Sequence, residues 1–102
     1  MESSFGEMTI ESKALEVLRR YPIRRAALFG SAAAGHMNHS SDVDILVEFE
    51  PDTPGLSFFG LKLDLEEALD RSVDLLTWRS LAKARPGFRA SVERGARVIY
   101  EQ

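Results

Sequence analysis

The sequence predicts an α/β fold: a small mixed β-sheet with helices packed mainly on one face. Segments with strand-like alternation of apolar and polar residues are separated by segments in which apolar residues recur at helical spacing. Strands that alternate with helices along a chain favour a sheet that contains parallel pairs and is covered by those helices. The 102 residues, 44% of them hydrophobic, are enough for one small domain with a single core. We therefore expect a single domain over 1–102, in which 1–9 form a frayed tail.

The predicted helices have apolar residues three or four positions apart. They cover about 12–20, 32–34, 57–70 and 87–94. Pro22 ends the first helix, because proline cannot continue it. Ser31 can cap the short second helix and Gly35 can end it, after which 36–41 form a polar loop. Ser57 or a neighbouring residue caps the third helix, and the fourth follows a proline.

The predicted strands cover 24–29, 42–50 and 72–78, with 97–100 as a last short strand or extended tail. Side chains alternate between the two faces of a strand. The odd-numbered residues from 43 to 49 are apolar and share one face. The other face carries Asp42, Asp44, Leu46 and Glu48. One face of the sheet is therefore packed, and the face that carries the carboxylates is at least partly open.

Composition and charge exclude several classes of protein. The formal net charge of −3 argues against a nucleic-acid partner held by general electrostatic attraction, since such domains carry a basic patch or stripe. We interpret Arg19, Arg20, Arg24 and Arg25 as a solvated helix end and strand flank rather than as such a patch. The absence of cysteine excludes disulfides and thiolate metal sites and is compatible with a reducing compartment. With no apolar segment near the roughly 18 residues of a membrane span and no signal peptide, we expect a cytoplasmic protein.

Asp42 and Asp44 are the most informative residues in the sequence. They lie one residue apart at the start of an apolar strand, where residues i and i+2 face the same way, so their charges repel each other. A cation between them would remove that cost. Asp74 repeats the pattern in the next predicted strand, and three carboxylates would converge on one open face if the two strands are neighbours. Converging carboxylates bind a hard cation such as Mg²⁺, whose shell is commonly completed by phosphate oxygens, and two such ions can clamp a phosphoryl displacement.

A Gly-Ser turn follows the first predicted strand. Gly30 lets a phosphate approach the backbone closely, because glycine has no side chain. Ser31 and the amides after it lie at a predicted helix N-terminus, which attracts anions. The sequence therefore predicts a site that binds phosphates at one end and their metal ions at the other.

Three ring side chains near this site have two interpretations each. His36 and His39 are spaced for a zinc site in the loop beside the aspartates, but we interpret them as polar loop residues. Trp78 shares the face of Asp74 and either stacks on a base or packs at the edge of the sheet.

These motifs resemble those of the minimal nucleotidyltransferases of the polymerase-β-like superfamily, the stand-alone MntA type that is paired with HEPN-domain toxins. The resemblance covers about 10–102. It is carried by Phe29-Gly30-Ser31, Gly35, Ser41-Asp42-x-Asp44, Val73-Asp74-Leu75 and the closing Arg97-Val98-Ile99-Tyr100. A Gly-Ser turn or an Asp-x-Asp pair means little by itself, whereas both at this spacing with the downstream aspartate are specific.

The resemblance implies a nucleotidyltransferase fold with the active site on the open side of the sheet. Asp42 and Asp44 would ligate two Mg²⁺ ions, and Asp74 would ligate the catalytic ion and help to activate the acceptor hydroxyl. The reaction would transfer AMP from ATP to a hydroxyl of the partner HEPN toxin, most simply a tyrosine, and silence it. The chain would then form a hetero-oligomer with that toxin as its antitoxin. The residues implied to bind the triphosphate are Gly30, Ser31 and Ser41.

One stretch departs from the family pattern. Many relatives carry arginines directly after Gly-Ser, where this chain has Ala32, Ala33 and Ala34. Arginine binds phosphate bidentately, so that role would pass to Lys62, to Arg71 or to a residue of the partner.

Two other functions are compatible with the same sequence. One is a binding-only antitoxin that neutralises its partner by covering the active site of that partner. The other is the catalytic subunit of a two-chain transferase with a small-molecule acceptor. The resemblance leaves no segment for an acceptor-binding domain, so we expect the acceptor to be presented by another chain.

Overall fold

The structure of the chain is a computed structural model that describes residues 9–30 and 42–102. The segments 1–8 and 31–41 lie outside the described residues. The second of these contains the predicted short helix and polar loop, and with them Ser31, Gly35, His36, His39 and Ser41.

Four helices and four strands make up the described residues. In chain order they are α1 (Ile10–Leu18), β1 (Ile23–Phe29), β2 (Val43–Phe49), α2 (Leu56–Leu69), β3 (Val73–Thr77), α3 (Trp78–Ala82), α4 (Pro86–Gly95) and β4 (Arg97–Glu101). The predicted elements of this part of the chain are all present, with ends that differ by one or two residues. The structure also contains α3, which the sequence analysis did not predict. None of these helices is long and apolar enough to cross a lipid bilayer.

The four strands form one mixed sheet in the order β3-β2-β1-β4. β1 pairs antiparallel with β2 and with β4, whereas β2 pairs parallel with β3. α2 joins the parallel pair, since two parallel neighbours need a crossover connection. The prediction of a small mixed sheet with a parallel pair is confirmed.

α1 and α2 cover one face of the sheet. Leu61, Leu65 and Leu69 of α2 are buried there, as the four-residue spacing predicted. The odd-numbered residues of β2 also face this core, and Val43 and Ile45 have no exposed surface. Burial of this apolar surface is the main contribution to stability.

α3 and α4 cover part of the opposite face. A second, smaller apolar cluster lies there and consists of Ala27, Phe29, Leu46, Leu81 and Val92. Leu46 is therefore only 1% exposed, although the sequence analysis placed it on the open face. At the end of the sheet that carries the two carboxylates, Asp44 is partly buried and Asp74 is exposed.

Thr9 caps the N-terminus of α1 and so does not belong to a frayed tail. Its hydroxyl oxygen accepts a hydrogen bond from the backbone N–H of Ser12 at 3.0 Å, the arrangement of a helix N-cap. The helix consequently begins at Ile10 and ends at Leu18, two residues earlier at each end than its spacing predicted.

β3 ends at Thr77, so the predicted strand to Trp78 is one residue too long. The hydroxyl oxygen of Thr77 accepts a hydrogen bond from the N–H of Ser80 at 3.0 Å and thereby caps α3. Trp78 packs against the second cluster, and the guanidinium of Arg25 lies 4.0 Å from the centre of its ring. Of the two interpretations of Trp78, the structure favours packing.

A hydrogen bond ties the loop after α1 to α2. The Tyr21 hydroxyl donates to Oδ2 of Asp64 at 2.5 Å. This bond, together with burial and the charge of Asp64, raises the pKa of Tyr21 to about 12. The pKa of an unfolded tyrosine is about 10, so the stabilisation is complete below that pH and is lost as the pH rises through the folded value.

Tyr21→Phe is expected to reduce the free energy of unfolding by about 1 kcal/mol at neutral pH, because it removes this hydrogen bond while keeping the ring. The difference between variant and wild type should shrink as the pH rises above about 10. Urea midpoints measured from pH 7 to 12 check both statements. A difference that stays constant across this range would contradict the role of the Tyr21–Asp64 pair.

Candidate active site

Asp44 and Asp74 lie side by side on neighbouring strands. β2 and β3 run parallel, and their register places Asp44 beside Asp74. Both residues lie on the face opposite the α1–α2 core, and Asp42 directly precedes β2 in an exposed position. β2 and β3 are therefore neighbours, which was the condition for the carboxylates to converge, and the three aspartates lie at one end of the sheet.

Gly30 brings a backbone turn directly against Asp44. It follows β1, whose last residue, Phe29, is the register partner of Asp44. Its φ of +64° lies in the left-handed region that glycine adopts without strain. A Cβ atom at this position would overlap Oδ2 of Asp44. The sequence analysis assigned the close approach at Gly30 to a phosphate, and within the protein itself the neighbour is this carboxylate.

The three carboxylates interact electrostatically. Burial raises the pKa of Asp44, and the negative charges of Asp74 and Asp42 raise it further. Each of these causes disfavours the ionised form of Asp44. A cation beside Asp44 would reverse this effect, so the site has the electrostatic character of a cation site.

The donor set fits magnesium that is bound together with a phosphate substrate. Within 9–30 and 42–102, no three Asp, Glu, His or Cys side chains are arranged as a ready-made metal cluster. Magnesium, however, is usually held by one or two carboxylates and takes its other ligands from water and substrate phosphates. The adjacent carboxylates of Asp44 and Asp74 meet this smaller requirement.

Glu66 fixes the start of β3. Its Oε2 accepts a hydrogen bond from the backbone N–H of Val73 at 3.0 Å and lies 2.9 Å from Nζ of Lys62. These two contacts, in that order, lower the pKa of Glu66. Lys62, which the sequence analysis considered as a phosphate ligand, is thus already paired with a carboxylate. Because Val73 precedes Asp74, Glu66 also sets the position of the candidate third carboxylate.

Glu66→Ala is expected to lower the urea midpoint and the catalytic rate together, because it frees the backbone at the start of β3. Glu66→Gln keeps an acceptor for the Val73 N–H and should recover part of both. The pKa of Glu66 is lowered by folding, so its stabilisation is present above the unfolded value of about 4.3 and is lost as the pH falls through the folded value. Equal activity of all three proteins would show that Glu66 does not position Asp74.

A pocket of about 450 Å³ lies beside Gly30 and Asp44. Its other walls come from the end of β1 and from one side of α4, and its lining consists of Phe29, Gly30, Asp44, Phe88, Ser91, Val92 and Gly95. The sequence analysis did not identify the α4 residues of this lining as functional. Their spacing of three and four residues marks one face of a helix. Neither that spacing nor a lone aromatic residue indicates which pocket the face lines.

A larger pocket, of about 610 Å³, lies at the far end of β2 beside Trp78 and Arg79. Neither Asp44 nor Gly30 contributes to it. We therefore place the candidate chemistry at the smaller pocket, which is lined by both Asp44 and the glycine turn.

Comparison with known proteins identifies a matching family model and similar proteins of known name. Residues 12–102 match the family model described as Polymerase beta, Nucleotidyltransferase. The protein adenylyltransferase MntA of Thermococcus cleftensis is 41% identical over 66 residues, which are 65% of this chain and 67% of that protein. A Methanocaldococcus jannaschii protein provisionally named a protein adenylyltransferase is 40% identical over 72 residues, 71% of this chain and 77% of that protein.

Solved structures similar to this chain include toxin-antitoxin complexes. A chain in the crystal structure of a toxin-antitoxin with AMP-PNP has a TM-score of 0.71 and 26% identity, over 90% of this chain and 73% of that one. A chain in the complex of tri-AMPylated Shewanella oneidensis HEPN toxin with MNT antitoxin has a TM-score of 0.65 and 25% identity, over 91% and 71%. The matched family model spans nearly the whole chain and includes Gly30, Asp44 and Asp74. The chain therefore belongs to the polymerase beta nucleotidyltransferase family and is a nucleotidyltransferase.

Proposed function

We propose that this nucleotidyltransferase is the antitoxin of a HEPN toxin and that it silences the toxin by transferring AMP from ATP to a tyrosine hydroxyl. The observation that carries this proposal is the alignment of Gly30, Asp44 and Asp74 across β1, β2 and β3. A backbone turn suited to phosphate thereby lies against one carboxylate suited to its metal, and a second carboxylate lies on the neighbouring strand.

The proposed reaction is an in-line displacement at phosphorus. The acceptor oxygen forms a bond to the α-phosphorus of ATP, and the bond from that phosphorus to the bridging oxygen of the β-phosphate breaks. Pyrophosphate leaves with the electron pair of that bond, and the acceptor proton passes to a carboxylate, which we assign to Asp74. The protein forms no covalent bond to the substrate in this reaction. The rate enhancement therefore comes from positioning of the reactants and from stabilisation of charge.

The donor and the acceptor approach Asp44 from opposite sides. The pocket of about 450 Å³ lies on the side of Gly30 and α4. Asp74 lies on the other side of Asp44, next to the sheet edge formed by β3, and is exposed. A nucleotide in the pocket would thus leave the β3 side free for a hydroxyl presented by another protein.

Asp42, Asp44 and Asp74 are the residues that would hold two Mg²⁺ ions. When bound, magnesium neutralises charge on the triphosphate and on the departing pyrophosphate. Ser31 and Ser41, together with Gly30, are the proposed contacts to the triphosphate.

The relatives support a protein acceptor. One is named a protein adenylyltransferase, and one solved complex contains an AMPylated HEPN toxin beside its MNT antitoxin. An ATP analogue is present in a further toxin-antitoxin structure of this kind. ATP as donor and a HEPN toxin as acceptor are therefore the substrates we propose for this chain.

The test is incubation of the purified chain with its toxin partner and MgATP, followed by mass spectrometry of toxin peptides. We expect adenylyl groups on a tyrosine, release of pyrophosphate, and neither product when EDTA removes the metal. An unmodified toxin together with ATP left intact would exclude the proposal.

A binding-only antitoxin is the second candidate, and one observation favours it. The chain has Ala32, Ala33 and Ala34 where the family pattern has arginines that would bind the triphosphate. Co-expression of the toxin with the Asp42→Asn/Asp44→Asn double variant separates the two functions. Full neutralisation by the double variant would favour binding, whereas toxicity comparable to that of the toxin expressed without antitoxin would favour adenylyl transfer.

A further inference from the structure

We propose that the pocket beside Gly30 is the base subsite of the donor nucleotide and that the adenine ring stacks on Phe88 of α4. This inference rests on the proposed function and adds to it a binding residue outside the aspartate and glycine motifs. Phe88 would touch the substrate without taking part in the bond changes.

α4 is anchored so that Phe88 is held at the pocket. Val92, one turn further along, is only 5% exposed and packs in the second apolar cluster with Phe29 and Leu46. Phe88 lies on the same side of the helix, since four residues separate the two. The helix backbone that carries Phe88 is therefore held at the pocket, and less of it has to be ordered when a ligand binds.

Phe88 leaves about half of its surface exposed. It is 48% exposed although it lines a pocket, and the apolar cluster beneath it does not include it. An exposed aromatic ring beside a site for phosphate and metal offers a flat, apolar surface of the size of a nucleobase. Stacking of bases on aromatic side chains is worth about 1–3 kcal/mol per base when tested by alanine substitution, which is about 5- to 150-fold in affinity.

The pocket has the size and lining of a nucleoside site. Its volume of about 450 Å³ lies in the range of small-molecule pockets, which are mostly apolar with a few polar groups. Ser91 contributes a hydroxyl to the wall on the side of α4, and Asp44 marks the end where the triphosphate and its metal would lie. The base and the phosphates thus have separate ends of one cavity.

The exposed phenylalanine of α2 provides a matched control. Phe59 is 62% exposed and lies on a helix that packs on the opposite face of the sheet. It lines neither the pocket beside Gly30 nor the one beside Trp78. Removal of its ring tests whether the loss of any exposed aromatic side chain changes nucleotide affinity.

The test compares two ligands by calorimetry in excess Mg²⁺: a non-hydrolysable ATP analogue and inorganic tripolyphosphate. Phe88→Ala is expected to weaken the analogue about tenfold and to leave tripolyphosphate unchanged, because the latter has no base to stack. Phe88→Trp should retain or improve affinity for the analogue, whereas Phe88→Leu, which keeps apolar volume without a ring, should lose it. Phe59→Ala should match the wild type with both ligands.

The outcomes of this test distinguish failure of the base subsite from failure of the proposed function. If wild type binds the analogue and Phe88→Ala binds it equally well, the base subsite is wrong while the proposed function stands. Equal losses for the analogue and for tripolyphosphate in a folded Phe88→Leu protein would also overturn it, because the effect would then not depend on the base. If wild type binds neither ligand, the proposed function and the base subsite fail together.

Discussion

Asp44→Asn is expected to reduce the rate of adenylyl transfer by about 1,000-fold, the value of several kcal/mol of charge stabilisation by a bound metal ion. Asp44 lies between the Gly30 turn and Asp74, so its carboxylate is the one that both halves of the site share. An amide of the same shape keeps the geometry and removes the charge that attracts Mg²⁺. The rate of toxin labelling under single-turnover conditions measures this loss.

Stability should not fall with activity in this variant. Burial and the charges of Asp74 and Asp42 all raise the pKa of Asp44, so folding disfavours its ionised form. Asn removes that cost at neutral pH, and we expect an unchanged or higher melting temperature. A melting temperature of Asp44→Asn clearly below that of the wild type would contradict this explanation.

Asp52→Asn is the matched control for charge removal. Asp52 is an exposed aspartate near the far end of β2, where it lines the pocket beside Trp78. Asparagine tolerates the left-handed backbone that Asp52 adopts, so neither folding nor transfer should change. A similar loss of rate in Asp52→Asn and in Asp44→Asn would mean that net charge, and not the site, determines activity.

Gly30→Ala is expected to reduce transfer by about 100-fold, since a misplacement of about 1 Å at a reacting group costs that much. The added Cβ would overlap Oδ2 of Asp44 and push the carboxylate out of position. The left-handed φ of +64° adds a conformational cost of about 1 kcal/mol for any residue with a side chain. Melting temperature and single-turnover rate together separate the two effects.

Gly55→Ala is the corresponding control. Gly55 has a φ of −59°, and nothing lies within 4 Å of a Cβ placed there. It precedes α2 and does not line either pocket described above. We expect near wild-type transfer and stability for Gly55→Ala.

Full activity in Gly30→Ala would show that close approach at Gly30 is not required.

Local sequence patterns predicted the acidic half of the site. Alternation of strand side chains predicted that Asp42 and Asp44 share a face, and Asp74 follows a helix long enough for a parallel crossover. The apolar run around each aspartate is the same signal that defines the core. The same pattern of acidic residues within apolar segments therefore predicted both the strands and the candidate site residues on them.

The opposite wall of the site could not be predicted in the same way. Phe88 is brought to the pocket beside Gly30 by packing of α4 on the face that the strand pattern predicted to be at least partly open. The partial cover of that face depends on Leu81 and Val92 meeting Leu46 across long separations in sequence. α3 was missed because its five residues are too few for a periodic signal, although Thr77 and Ser80 form its cap.

Transfer of label from two forms of ATP tests the central claim most directly. The purified chain is mixed with its toxin partner and Mg²⁺, once with ATP labelled in the adenine and once with ATP labelled in the γ-phosphate. We predict that adenine label becomes covalently attached to the toxin, that γ-label leaves as pyrophosphate, and that Asp44→Asn stops both. Attachment of γ-label to the toxin, or equal labelling by wild type and Asp44→Asn, would contradict adenylyl transfer at the Gly30–Asp44–Asp74 site.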